Sequence, residues 1–134
     1  MRTGDLPEVV GRFITERIDS VEQLEILLLL HRHPERTWTA EAVARELRIS
    51  ALSAGERLED LARDAILSRG EGPAVEYRYA PARPGLEEAV AGLARAYAER
   101  RVTVINLIFS KPVDKIRTFA DAFLLRKGKD DDHG

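Results

Sequence analysis

The stretch TAEAVARELRISALSAGERLEDL, residues 39–61, contains two short helical patterns separated by a turn. Thr39 and Ser50 are residue types that cap helix N-termini, and each stands directly before one of the patterns. The apolar positions of both patterns are spaced three or four residues apart: Val43, Ala44, Leu47, Ala54, Leu58 and Leu61. This spacing predicts a helix from Ala40 to Leu47, a turn at residues 48–49, and a second helix after Ser50.

More helices are predicted on both sides of this pair. The apolar spacing predicts a first helix over about residues 7–18. Ser20 and Gln23 form a capping-box pattern for a second helix, which ends near residue 31, before Pro34. Residues 26–30 are apolar on every side, so this helix is expected to be the central helix of the core.

The remaining pattern combines a hairpin with C-terminal helices. Trp38 is expected in a short strand at residues 37–39, as an anchor of the core. Residues 75–79 alternate like a strand after a Gly/Pro-rich turn, which predicts a β-hairpin over residues 68–80. After the break at residues 81–85, the apolar spacing predicts one long helix that reaches Ile108 and a last helix over about 113–125.

Composition limits the class of protein. The chain has 134 residues, 44% of them hydrophobic, which is enough for one compact domain with a core. It has no cysteine, and its longest apolar run is too short to cross a bilayer, so we expect a cytoplasmic protein without membrane contact. Arginine outnumbers lysine 17 to 4, which resembles the coding bias of GC-rich bacterial genomes.

Charge is distributed unevenly along the chain. Residues 1–83 hold 12 basic and 15 acidic side chains, whereas residues 84–129 hold 9 basic and 5 acidic ones. The net charge of the whole chain is −2. A basic footprint is typical of nucleic-acid-binding domains, but a local arginine stripe can serve that purpose on an acidic protein.

The order helix, short strand, helix, turn, helix, hairpin resembles a winged helix-turn-helix domain. Helices added at both ends resemble the MarR-like bacterial regulators, in which terminal helices build a dimer. The expected fold is mainly α with a small β-hairpin wing, flanked by N- and C-terminal helices. We divide the chain into an N-terminal helix (1–19), the winged domain (20–83), a helical dimerisation segment (84–127) and a polar tail (128–134).

The resemblance implies that the helix after Ser50 lies in the DNA major groove and that the hairpin touches phosphates. The residues suited to DNA contact are then Ser50, Ser53, Arg57, Arg63, Arg69 and Arg78. The same helix also carries Glu56, Glu59, Asp60 and Asp64, which would repel the DNA backbone. The simpler interpretation of these acids is a solvated helix face.

Apolar residues in excess of one core suggest a protein interface. The candidates are Leu52, Val102, Ile105, Phe109, Phe119 and Phe123. We interpret the C-terminal group as part of a homodimer interface. Folding back over residues 26–30 within one chain would also cover it, and both arrangements can hold together.

No motif for catalysis or metal binding stands out. His31 and His33 are two residues apart, which points them to different sides of a helix, and their place near its C-terminus explains them as cations. We therefore expect no enzyme, no metal and no cofactor. Two functions stay open: a dimeric DNA-binding transcription regulator, or a winged helix whose acidic helix contacts a regulatory protein.

Overall fold

The computed structural model describes residues 6–110, which form helices around a single hydrophobic core with one small hairpin. The elements in chain order are α1 (Glu8–Arg17), α2 (Val21–Arg32), α3 (Ala40–Leu47), α4 (Ala51–Arg63), β1 (Leu67–Arg69), β2 (Tyr77–Tyr79), α5 (Pro84–Glu99) and α6 (Arg101–Phe109). The predicted fold class is confirmed: the chain is mainly helical, with the layout of a winged helix-turn-helix.

Helix α3 begins and ends where the sequence predicts, and helix α4 begins directly after Ser50, as predicted. The Thr39 hydroxyl accepts a hydrogen bond from the Ala42 amide, and the Ser50 hydroxyl accepts one from the Ser53 amide, both at 3.0 Å. Between the helices, Arg48 adopts the left-handed conformation with φ 61°. This conformation ends α3 and turns the chain into α4, whose inward residues Ala54, Leu58 and Leu61 are fully buried.

Helix α2 is the central helix of the core, as predicted. Leu24 and residues 26–30 are all buried, and α2 packs on α4, α5 and the hairpin. The Ser20 hydroxyl caps the helix through the Gln23 amide at 3.0 Å. The Gln23 side chain accepts a hydrogen bond from the amide of Asp19 at 2.7 Å, one residue earlier than in a standard capping box.

The hairpin is short and is tied to the segment before α3. Strands β1 and β2 pair antiparallel, with Leu67 opposite Tyr79 and Arg69 opposite Tyr77. Trp38 is buried as expected, but the strand predicted at residues 37–39 is only a single bridge. In this bridge the amides of Trp38 and Tyr77 each donate to the other's carbonyl at 2.8 Å, which holds the hairpin against α3.

The prediction of one long helix reaching Ile108 is wrong, because the structure has two helices there. The chain breaks between α5 and α6 at Arg100, which has φ −137° and ψ 57°. Shortly after the break, residues 102–105 include Val102, Val104 and Ile105. Valine and isoleucine are less favourable in helices than unbranched residues. The break lets α6 pack on both α1 and α5, and it buries Val104 and Ile108. Tertiary packing therefore decides this position, where neither proline nor glycine marks it in the sequence.

Several predictions from the sequence fall beyond Ser110. The helix over 113–125, the interface residues Phe119 and Phe123 and the polar tail 128–134 lie outside the described residues. Within residues 6–110, no helix is long and apolar enough to cross a membrane.

Candidate functional site

A groove of about 570 Å³ lies between α4 and the hairpin, and we call it the α4–hairpin groove. Arg57 and Arg63 line it from α4, and Arg69 lines it from β1. Three of the predicted DNA-contacting arginines therefore meet on one surface. The acidic residues of the groove come from α4 as well: Glu56, Glu59 and Asp60.

Acidic neighbours surround the guanidinium of Arg57. Its nitrogens lie 3.7 Å from carboxylate oxygens of Glu56 and Asp60, and 3.9 Å from one of Glu22 on α2. Asp60 also accepts a hydrogen bond from Arg63 at 2.8 Å. These pairs lie at the surface, where an ion pair contributes only about 0–1 kcal/mol, so each arginine can exchange its carboxylate for another anion.

Glu59 joins α4 to both strands of the hairpin. One of its oxygens accepts a hydrogen bond from Arg69 Nε at 2.6 Å and another from the Tyr77 hydroxyl. The bonds to Tyr77 and Arg69 lower the pKa of Glu59, so this carboxylate stays charged at neutral pH. Burial, followed by the bond to Glu59, raises the pKa of Tyr77.

The other predicted DNA contacts are arranged differently. Ser50 is exposed, but its hydroxyl caps α4. Ser53 is half-buried and its hydroxyl donates to the carboxylate of Glu22. Arg78 is exposed on β2 and forms no ion pair with another residue of 6–110. Arg78 is thus the predicted hairpin cation that is available without breaking an interaction.

Leu52 projects from the first turn of α4 into solvent, with 75% of its surface exposed. It lines the α4–hairpin groove together with Val75, which is also an exposed apolar residue. Leu52 is therefore not packed beneath the helix. An apolar pair beside ionic residues is a surface that a protein or a base methyl group can contact.

A second apolar surface lies on α6. Val102, Ile105 and Phe109 are three and four residues apart and so share one side of the helix, which we call the α6 stripe. Val102 is 68% exposed and Phe109 is 64% exposed, whereas Ile105 is partly buried. The opposite side, with Val104 and Ile108, faces the core.

The terminal helices are connected to α2 by a polar contact. The Tyr97 hydroxyl on α5 donates to Glu25 at 2.7 Å, and Arg101 lies 3.4 Å from the same carboxylate oxygen. Burial, reinforced by the bond to Glu25, raises the pKa of Tyr97 to about 12. The ring of His31 meets Tyr79 edge-on at 5.0 Å, and residues 6–110 contain no group of three side chains that could hold a metal ion.

Three residues at or beside the α4–hairpin groove were not selected as site residues from the sequence. Val75 and Tyr77 line the groove, and Glu22 contacts Ser53 and Arg57 of α4. Glu22 is 31 residues before Ser53, on another helix, so no local pattern could indicate their contact. The alternation of Val75 and Tyr77 with charged neighbours predicts a strand for both, and the structure places only Tyr77 in one. Their place beside α4 depends on how the hairpin folds back.

No protein-family model matches the chain, and no curated protein sequence does. Among solved structures, the chain is similar to a mutant of Lactococcus lactis ZitR, with 17% identity, a TM-score of 0.46, and coverage of 84% of this chain and 77% of that one. It is also similar to a mutant of S. aureus MepR bound to an oligodeoxyribonucleotide, with 13% identity and a TM-score of 0.49. That match covers 87% of this chain and 88% of the other.

Proposed function

We propose that this chain is a cytoplasmic winged-helix transcription regulator that binds DNA as a dimer, with α4 and the hairpin as its contact surface. The observation that carries the proposal is the meeting of Arg57, Arg63 and Arg69 on one exposed groove beside the N-terminal turn of α4. Arginine binds phosphate through two parallel charge-assisted hydrogen bonds, whereas the carboxylates around Arg57 lie 3.7–3.9 Å away, beyond hydrogen-bond distance. Phosphates can therefore displace the carboxylates.

The first turn of α4 is open to a partner. Ala51 and Leu52 are exposed, and Ser50 precedes them at the helix N-terminus. In a helix-turn-helix, residues at this end of the second helix reach the base edges while cations on either side bind the backbone. Arg78 is opposite Ser68 in the hairpin register, so it lies on the other face of the hairpin from Arg69 and Tyr77 and is not one of the residues that line the groove.

The test is the affinity for a random-sequence DNA duplex, measured by fluorescence anisotropy at low salt. Arg57→Ala should weaken binding, because Arg57 is the central cation of the groove. The matched control is Arg95→Ala, which removes an exposed arginine from α5, away from the groove. Equal losses from both variants would mean that α4 is not the contact surface.

Dimerisation belongs to the same proposal and is supported by the α6 stripe. An exposed apolar stripe of this kind is typical of a protein interface, and a two-fold axis would place two copies of it together. Light scattering should give the mass of a dimer for the wild type and of a monomer for Phe109→Glu. Leu52→Glu places the same charge on an exposed residue of α4 and should leave the mass unchanged. A wild-type dimer that Phe109→Glu does not dissociate would place the interface elsewhere.

A second candidate function is a protein-interaction module. It is favoured by the exposed pair Leu52 and Val75, which shares the α4–hairpin groove with three acids. In this case a regulatory protein, rather than DNA, covers the groove. The proteins captured by the wild type and by Leu52→Glu should then differ. If both variants capture the same set, the groove is not a protein-binding site.

A further inference from the structure

Glu59 on α4 forms an ion pair with Arg69 on β1, across the α4–hairpin groove. Arg69 Nε is only 2.6 Å from the Glu59 carboxylate, which is the shortest ion-pair distance among the described residues of this groove. The side chains of Arg69 and Glu59 are 46% and 41% exposed, so a phosphate can reach the guanidinium only in competition with a neighbour already in place.

The geometry leaves Glu59 little freedom to move away. Its second partner, the Tyr77 hydroxyl, holds the carboxylate from β2. Tyr77 is itself fixed, because it is 3% exposed and its backbone pairs with Trp38. The carboxylate is therefore anchored beside Arg69, whereas Arg69 has a long flexible side chain.

From this arrangement we propose that Glu59 is a competitor of the DNA backbone for Arg69 and thereby lowers sequence-independent DNA binding by the α4–hairpin groove. In the free protein Arg69 is paired with Glu59. At a DNA site where α4 makes favourable base contacts, a phosphate takes Arg69 from Glu59. The inference rests on the proposed DNA-binding function and adds a role for a residue that otherwise counts against it.

This role differs from that of a simple repulsive charge. A repulsive acid weakens DNA binding whether or not Arg69 is present. A competitor acts through Arg69, so the two residues must show an interaction energy in a double-mutant cycle. Glu71 in the hairpin turn provides the comparison, because it is an exposed acid that forms no ion pair within residues 6–110.

The experiment measures the affinity for random duplex DNA against salt for the wild type, Glu59→Gln, Arg69→Ala, the double variant of these two, and Glu71→Gln. Glutamine keeps the shape of Glu59 and removes its charge. Glu59→Gln should bind up to about fivefold more tightly at low salt, the factor that corresponds to one surface ion pair. Its plot of log K against log salt should be steeper by about 0.9, as for one added phosphate contact.

The gain should depend on Arg69. Arg69→Ala should have little effect in the wild type and should abolish the gain in the Glu59→Gln background. Glu71→Gln should leave the salt slope unchanged. Thermal unfolding of each variant, followed by circular dichroism, fixes a temperature at which all are folded, so that altered affinity is not confused with unfolding.

The two levels of the proposal fail in different ways. If the wild type binds DNA and Glu59→Gln has the same slope, or if its gain survives Arg69→Ala, competition by Glu59 is wrong while DNA binding stands. If neither the wild type nor any variant binds duplex DNA at low salt, the proposed function is wrong, and the role of Glu59 with it. Binding by Glu59→Gln alone would support the competition directly.

Discussion

Two glycines within helices allow the packing of the terminal helices to be tested with a single added methyl group. Gly92 lies in α5 and Gly55 lies in α4, and both are half-buried. A Cβ at residue 92 would lie 2.9 Å from Val10 Cγ2, whereas one at residue 55 would lie 3.7 Å from the Cβ of Ala40. Carbon atoms attract best at about 3.5–4.0 Å, so only the first position is too close.

Gly55→Ala and Gly92→Ala should both gain stability from helix propensity, but only Gly92→Ala should lose stability from overpacking. Alanine in place of glycine favours a helix by about 0.5–1 kcal/mol at either position. At residue 92 the methyl group also meets Val10, which is fully buried and cannot move into solvent. Overpacking of this kind costs about 1–3 kcal/mol. We expect Gly55→Ala to be more stable than the wild type, and Gly92→Ala to be less stable than Gly55→Ala by about 1–3 kcal/mol.

Urea denaturation at several protein concentrations measures this difference and detects any contribution from dimerisation. With a slope of about 2 kcal/mol per molar urea, a difference of 2 kcal/mol separates the two midpoints by about 1 M. If Gly92→Ala is as stable as Gly55→Ala at every protein concentration, then α1 and α5 do not pack as closely at Gly92 and Val10 as the structure shows.

Two further predictions concern a helix cap and a tyrosine. Ser50→Ala should lower the free energy of unfolding by about 1 kcal/mol, because it removes the hydrogen bond that caps α4. Ser68→Ala, on the exposed face of β1, is the control. If urea denaturation gives equal losses for both variants, the Ser50 hydroxyl does not stabilise α4 as a cap. Tyr97, with its pKa raised to about 12, should make stability fall as the pH rises from about 10, where unfolded tyrosines ionise, towards 12. Glu25→Gln should lower this pKa, and an unchanged tyrosinate absorbance titration would show that Glu25 does not act on Tyr97.

The local parts of the fold could be predicted because their causes are local. The caps Ser20, Thr39 and Ser50 and the buried spacing of α4 all follow from neighbours within four residues, and each is found in the structure. The break at Arg100 could not be predicted in this way. It depends on the packing of α6 against α1, and those helices are far apart in the sequence.

The site was predictable as a set of residue types and not as a set of contacts. The arginines of α4 and β1 were selected from the sequence, and three of them meet in the groove. Their pairing with carboxylates depends on Glu22 from α2 and on the position of Glu59 beside the hairpin. Whether Val102 and Phe109 contact a second copy stays a prediction, since it concerns a partner and not this chain alone.

The most direct test of DNA binding by the α4–hairpin groove is the salt dependence of wild-type affinity for duplex DNA. If phosphates replace the carboxylates around Arg57 and Arg63, the logarithm of the affinity should fall linearly with the logarithm of salt concentration between about 50 and 200 mM. The slope should be about −0.9 for each phosphate bound. No detectable affinity of either the wild type or Glu59→Gln at the lowest salt would contradict a DNA-binding function for this chain.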